Sequence, residues 1–339
     1  MDLHITWFIL LSVLLAGYAV LDGFDLGVGI LHLLGRTDRE RRIFMNSIGP
    51  IWDGNEVWLV TFGGALFAAF PMAYATVFSG FYTAFMLLLF GLIFRAVSIE
   101  FRSKVHSPGW RTAWDWAFFG SSLLASLLFG VALGNAMMGI PLDEGFVFRG
   151  SLLDLLRPFP LLMGLAVVVT FAMHGALYLY LKAPDADLRE RIRGWMWHAW
   201  GIFLVFYILG TIYTLLYIPR AAENMRQFPA AAAVVVISVL AIANIPRAIY
   251  MRRPFQAFLS SSVTLLALVA LVSLVLWPNL VTASNNPDHN LTIYRAASSP
   301  HTLWIMFVIA CIGMPFVLTY TAAIYWTFRG EVELGEHSY

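Results

Sequence analysis

The chain has one cysteine, Cys311, among its 339 residues. A lone thiol forms no intrachain disulfide and no CxxC metal or redox motif. Charge is scarce too: Asp, Glu, Lys and Arg together reach 12%, against roughly 25% in soluble domains. The formal net charge is +1, so no basic surface points to a nucleic-acid partner. No phosphate-binding glycine loop, hydrolase triad or metal cluster is written into the chain. The start, "MDLH", lacks a basic n-region and the apolar run after it is too long for an h-region. No cleavable signal peptide is expected.

What the chain has in abundance is apolar length. Hydrophobic residues make up 60% and the mean hydropathy is +0.76, the signature of a polytopic membrane protein. Nine spans are expected, at about 5–33, 49–70, 74–101, 112–140, 157–181, 195–218, 229–249, 255–277 and 302–328, each near the roughly 20 residues that a crossing needs. Runs this long and apolar cross lipid as helices. Only "FPMAY" separates the second span from the third. The expected fold is all-α: one membrane domain over 1–339, with a first helical bundle in 1–140 and a second bundle plus the last helix in 141–339. This makes two four-helix bundles and one peripheral helix. The longest loops on the side of the N-terminus are about 141–156 and 278–301.

The basic residues set the orientation. With nine alternating spans, 16 of the 21 Lys and Arg fall on one side, among them Arg36, Arg102, Lys182, Arg189 and Arg252. Only Arg149, Arg157, Arg220, Arg226 and Arg295 fall on the other. By the positive-inside rule the C-terminus faces the cytoplasm and the N-terminus faces out.

Orientation gives depth. Asp25 lies about 13 Å from the cytoplasmic exit of the first span, with Asp22 one turn deeper. Asp53 and Glu56, in "GPIWDGNEVWLV", sit roughly 6–10 Å inside the second. Arg95, Glu100 and Asp115 also fall in the cytoplasmic half, while the midplane is nearly free of charge. Intramembrane carboxylates face a bundle interior or a hydrated path and often move protons. Asp22 and Asp25 are three residues apart on one helix face, as are Asp53 and Glu56. Both faces open toward the cytoplasm and suit proton uptake. The competing reading is structural, with an Asp paired to Arg95 or bonded to a neighbouring helix. Glu100 and Asp115 read as interfacial caps or ion pairs. Gly23 and Gly27 form a GxxxG, which lets another helix approach closely.

Of eight histidines, only His174 and His198 fall well inside spans. Haem bundles present paired histidines on facing helices, so these two read as structural. The tryptophans gather at the span borders as an interfacial belt.

"GFDLGVGIL", "RRIFMNSIGPIWDGNEVWLVTFGGALFAAFPMAYA", "FRAVSIEFRSK", "WRTAWDWAFFGSSL" and "GVALGN" together resemble subunit II of the cytochrome bd quinol oxidases. The resemblance is densest from about residue 15 to 140 and runs on through "NPDHNLTIYRAASSPHTLWIM" and "LTYTAAIYW". It implies a bacterial or archaeal cytoplasmic-membrane complex that oxidises quinol and reduces dioxygen to water, with the protons taken from the cytoplasm. It implies a homologous subunit I that carries haems b and d, or b alone, and a small single-span subunit in some members. No cofactor is expected in this chain, although some members hold a quinone in subunit II. The resemblance also implies a proton path through Asp53 of "WDGN", with Asp25 of "GFDLG" as second candidate and Asp22 and Glu56 beside them. The short chain and trimmed outer loops resemble the cyanide-insensitive branch. The alternative is a stand-alone proton-coupled transporter, which would bind its substrate near the midplane at broken helices.

Overall fold

The computed structural model describes residues 2–335; His337 lies outside them. Twelve helices follow in order: α1 Leu3–Leu31, α2 Asp38–Ile48, α3 Trp52–Ala69, α4 Pro71–Gly80, α5 Tyr82–Phe101, α6 Pro108–Met138, α7 Pro158–Lys182, α8 Ala186–Tyr217, α9 Pro219–Gln227, α10 Ala231–Tyr250, α11 Pro254–Leu276 and α12 Pro300–Thr327. Local chemistry sets many of their starts. Asp2 accepts from the His4 and Ile5 N–H groups at the head of α1, and Thr37 from Glu40 at the head of α2. Six helices, α4, α6, α7, α9, α11 and α12, open on proline. Its missing N–H costs nothing there and its fixed φ suits a first turn.

Among the described residues eight helices are long and apolar enough to cross a bilayer: α1, α5, α6, α7, α8, α10, α11 and α12. The expected second span is α3. Its first turns hold Asp53, Asn55 and Glu56, leaving only the 13 residues Val57–Ala69, with Thr61 among them, as an uncharged stretch. The count of nine therefore includes one helix shorter in apolar length than a full crossing. The expected 74–101 span is broken into α4 and α5. Phe81, at φ −100° and ψ 19°, leaves helical geometry at the break. The ladder continues across it, from Phe81 N–H to the Val77 carbonyl at 2.9 Å and from Phe85 N–H to the Phe81 carbonyl at 2.8 Å. The expected 195–218 span starts earlier, because the polar turns from Ala186 extend α8 past the apolar part.

α1 is the axis of the molecule. It packs on α3, α6, α7, α11 and α12. α5 packs on α6, α6 on α7, α8 on α7 and α10 on α11, with α12 against α1 and α3. Lipid provides no hydrophobic drive between helices, so close approach matters most. A Cβ on Gly27 would collide with the Phe171 backbone oxygen, and one on Gly175 with the Gly27 backbone. A Cβ on Gly134 would lie 2.5 Å from the Pro160 Cα. These glycines let α1 and α6 meet α7 backbone to backbone.

The loops at the N-terminal end of α1 are knitted together. Ile140 N–H donates to the Thr282 carbonyl at 3.0 Å, and Ser284 N–H to the Ile140 carbonyl at 2.9 Å. The Asn285 amide brackets the Leu142 backbone, accepting at 3.1 Å and donating at 2.8 Å. Two short antiparallel strands, β1 Asn279–Val281 and β2 Leu291–Thr292, fold the second loop on itself. Arginines at this end cap helices: Arg157 donates to the Gly139 carbonyl at 2.6 Å and Arg220 to the Val275 carbonyl at 2.8 Å.

Gly175→Val tests the α1–α7 seam. Overpacking there is expected to cost about 1–3 kcal/mol and to lower the melting temperature in detergent. An unchanged melting temperature would mean that the backbones do not meet at that point.

Candidate functional site

The polar interior is built on "LDGFDLG" in α1. At 3.6 residues per turn, Asp22 and Asp25 share one side, and Gly23 and Gly27 share another. The glycine side meets α7, which turns the carboxylates toward α3 and α5. On α5, "IFRAVS" places Arg95 opposite Asp22. Arg95 Nη1 donates to Asp22 Oδ2 at 2.8 Å, and Nη2 to Oδ1, completing a two-pronged fork. Both side chains are fully buried. A bidentate guanidinium–carboxylate pair is among the strongest hydrogen-bonded contacts available to side chains.

Asp25 has a different partner. Asn55, on α3, donates through Nδ2 to Asp25 Oδ2 at 2.7 Å and to the Leu21 carbonyl at 3.2 Å. Its Oδ1 accepts from the Tyr325 hydroxyl on α12 at 2.9 Å. Among the described residues, Asp25 Oδ1 is buried without a hydrogen-bond partner. Three helices distant in sequence thus converge on one carboxyl group.

The other two expected site residues lie outside this group. Asp53 is two residues from Asn55 and therefore points to nearly the opposite side of α3. It is exposed and, among the described residues, forms no hydrogen bond or ion pair. Glu56 is half-buried, within Coulombic reach of Arg95, Asp22 and Asp53. The structure therefore brings together Asp22 with Arg95 and Asp25 with Asn55 and Tyr325. Glu56 sits at the edge and Asp53 faces outward. Asn55 and Tyr325 were not anticipated: a neutral amide beside two carboxylates, and a phenol in an apolar helix, carry no charge to draw attention. The one signal was Asn55's place inside "WDGN".

The Arg-rich end holds a second network. Asp115 accepts from His32 Nε2 at 2.6 Å, Arg102 Nε at 2.5 Å and Arg41 Nη1 at 2.7 Å. Asp38 accepts from Arg102 at 2.9 Å and Arg111 at 3.0 Å. Asp115 is the ion-pair residue expected from "WDW". Glu100, expected to act similarly, is half-buried with no ion pair among the described residues.

The two span histidines are used within the fold. His174 Nε2 lies 3.0 Å from the Val20 carbonyl and Nδ1 2.6 Å from the Ser261 hydroxyl, with its ring stacked on Phe258. His198 Nδ1 lies 2.7 Å from the Gly194 carbonyl. Among the described residues, no three His, Cys, Asp or Glu side chains converge to hold a metal ion. An apolar cavity of about 410 Å³ lies between α1, α6, α7, α8, α10 and α11, with Tyr18, Phe129, Met163, Phe203 and Val272 in its wall. The Tyr18 hydroxyl is buried beside the Asp22 carboxylate.

Residues 3–328 match the family described as cytochrome bd terminal oxidase subunit II. The cytochrome bd-I ubiquinol oxidase subunit 2 of Escherichia coli (strain K12) is 36% identical over 367 residues, covering 97% of this chain and 95% of its own. The cytochrome bd ubiquinol oxidase subunit 2 of Bacillus subtilis (strain 168) is 33% identical over 336 residues, covering 98% and 97%. The fold is also similar to a chain in the structure of the bd oxidase from Geobacillus thermodenitrificans. There the TM-score is 0.77 at 17% identity, covering 97% of this chain and 99% of that one. With a family match over nearly its whole length and relatives this similar end to end, the chain belongs to the cytochrome bd terminal oxidase subunit II family.

Proposed function

We propose that this chain supports a haem-bearing subunit I in quinol oxidation coupled to dioxygen reduction, and forms part of the proton-uptake route that feeds it. Haems b and d, or b alone, belong to subunit I in this reading. The complex lies in the cytoplasmic membrane with the Arg-rich end inside, a reading supported by the 16-to-5 split of Lys and Arg over nine alternating helices. The carrying observation is the buried Asp25. One of its oxygens is held by Asn55 and the other is unpartnered, beside an Asp22 whose charge Arg95 offsets. A carboxyl group so placed can take and release a proton without breaking an ion pair. Asp53, exposed near the Arg-rich end of α3, receives protons from water, and Glu56 lies between it and the interior. Asp22 serves as the fixed charge of the layer. Nothing in the geometry favours a stand-alone transporter, since the interior carboxylates Asp22, Asp25 and Glu56 all lie toward the Arg-rich end.

A quinone held by this chain would occupy the apolar cavity between α1 and α8. Its wall suits an isoprenoid tail, and the Tyr18 hydroxyl offers a donor to a ring carbonyl.

Two measurements test this reading. Purification through a tag on this chain is expected to bring down subunit I, any small single-span subunit, haem bands and extractable quinone. The chain expressed alone is expected to show no haem bands. Bands in the lone chain would mean that His174 or His198 ligates haem after all. In the intact complex, Asp25→Asn and Asp53→Asn are each expected to lower turnover by about tenfold or more, with assembly and haem content unchanged. Wild-type turnover in either variant would remove that residue from the path.

A further inference from the structure

Asn55 has two N–H donors and an acceptor oxygen, and each is engaged. The nitrogen serves Asp25 Oδ2 and the Leu21 carbonyl, and the oxygen serves Tyr325. Turning the amide by half a rotation would set Oδ1 against the Leu21 carbonyl and the Asp25 carboxylate, two acceptors facing an acceptor. While Asp25 is charged, this alone holds the amide in place. A protonated Asp25 changes the balance. A proton on Oδ2 could donate to a turned Asn55 oxygen, so the carboxyl group would then have two places to carry its hydrogen.

Tyr325 opposes that second arrangement, adding to the Leu21 carbonyl, which the turned oxygen would still face. In it the nitrogen would face Tyr325, whose hydroxyl would have to accept instead of donate and would leave its own hydrogen without a partner. An orphaned donor in this partly buried position is costly. The phenol is itself held in place, its ring meeting the edge of Phe24 with centroids 6.5 Å apart at 89°.

Building on the reading of Asp25 as a proton carrier, we propose that Tyr325 is a positioning residue for it. By donating to Asn55 Oδ1, Tyr325 keeps the amide nitrogen on Asp25 Oδ2 throughout the protonation cycle, so the proton is loaded and released at Oδ1. The step is a plain transfer. An O–H bond forms at Oδ1 when a proton arrives from the cytoplasmic side and breaks when that proton moves on, with no change in oxidation state.

The test uses the intact complex and the infrared difference spectrum of its carboxyl groups, in which the Asp25 C=O band is the one lost in Asp25→Asn. Tyr325→Phe keeps the ring and removes only the hydroxyl. It is expected to shift that band and to lower turnover roughly fivefold, the scale of one lost hydrogen bond, with haem content unchanged. Asn55→Leu is expected to shift the band as well. Adding Tyr325→Phe to it is expected to have no further effect, because Tyr325 acts only through the amide. An unmoved band in Tyr325→Phe, or effects of the two substitutions that multiply, would overturn the proposal. Wild-type turnover in Asp25→Asn would instead overturn the proton-path reading beneath it, a separate failure from an unmoved band.

Discussion

The fork between Arg95 and Asp22 is the contact on which the rest of the polar interior depends. Either group alone, fully buried among membrane helices, would carry a desolvation penalty of several kcal/mol. Together, with two parallel hydrogen bonds, they form a neutral unit that α1 and α5 hold between them. This neutrality makes Asp25 workable one turn away. With Asp22 unpaired, a second carboxylate on the same helix face would face like charge at close range. With Asp22 paired, Asp25 meets only an amide on one oxygen and has the other oxygen open.

The same helix solves a packing problem on its other side. Gly23 and Gly27 lie in the intervals of the Asp repeat, so α1 presents small residues to α7 and carboxylates to α3 and α5. Gly27 and Gly175 bring the two backbones together. A polar face inside a membrane protein needs an enclosed position, and the glycine seam encloses it by drawing α7 against α1. Acid placement and helix packing are thus two readings of one short segment, "LDGFDLG".

This also explains what was legible beforehand. Spans follow from runs of apolar residues, a local property, and most of the helices start and stop within a few residues of where hydropathy put them. The pairing of an Asp with Arg95 was open as one of two readings, because a buried cation calls for an anion. The break at Phe81 was not anticipated, although Ser79 and Gly80 just before it are a pair at which helices give way. Nor were β1 and β2, too short to show a period of two. Asp53 and Asn55 show the limit most clearly. They are neighbours in "WDGN", and the charge drew attention to Asp53. The helical turn instead sends Asn55 inward and Asp53 out. Tyr325 lies 270 residues from its partner, and no local pattern carries a contact of that range.

The last helix ties these points together. Leu303 is its one fully buried residue, and most of its large apolar side chains are exposed. Specific bonds near its two ends hold it. At one end Trp7 Nε1 donates to the Leu303 carbonyl at 2.9 Å. At the other, Tyr325 donates to Asn55, and Lys182 to the Phe328 carbonyl. A helix held this way owes little of its position to packing within the chain, so the bonds at its ends must fix its register. One of those bonds is also the one that orients Asn55 toward Asp25. The seating of α12 and the geometry of the buried carboxyl group are therefore a single constraint: the helix can slide only by releasing the amide that holds Asp25.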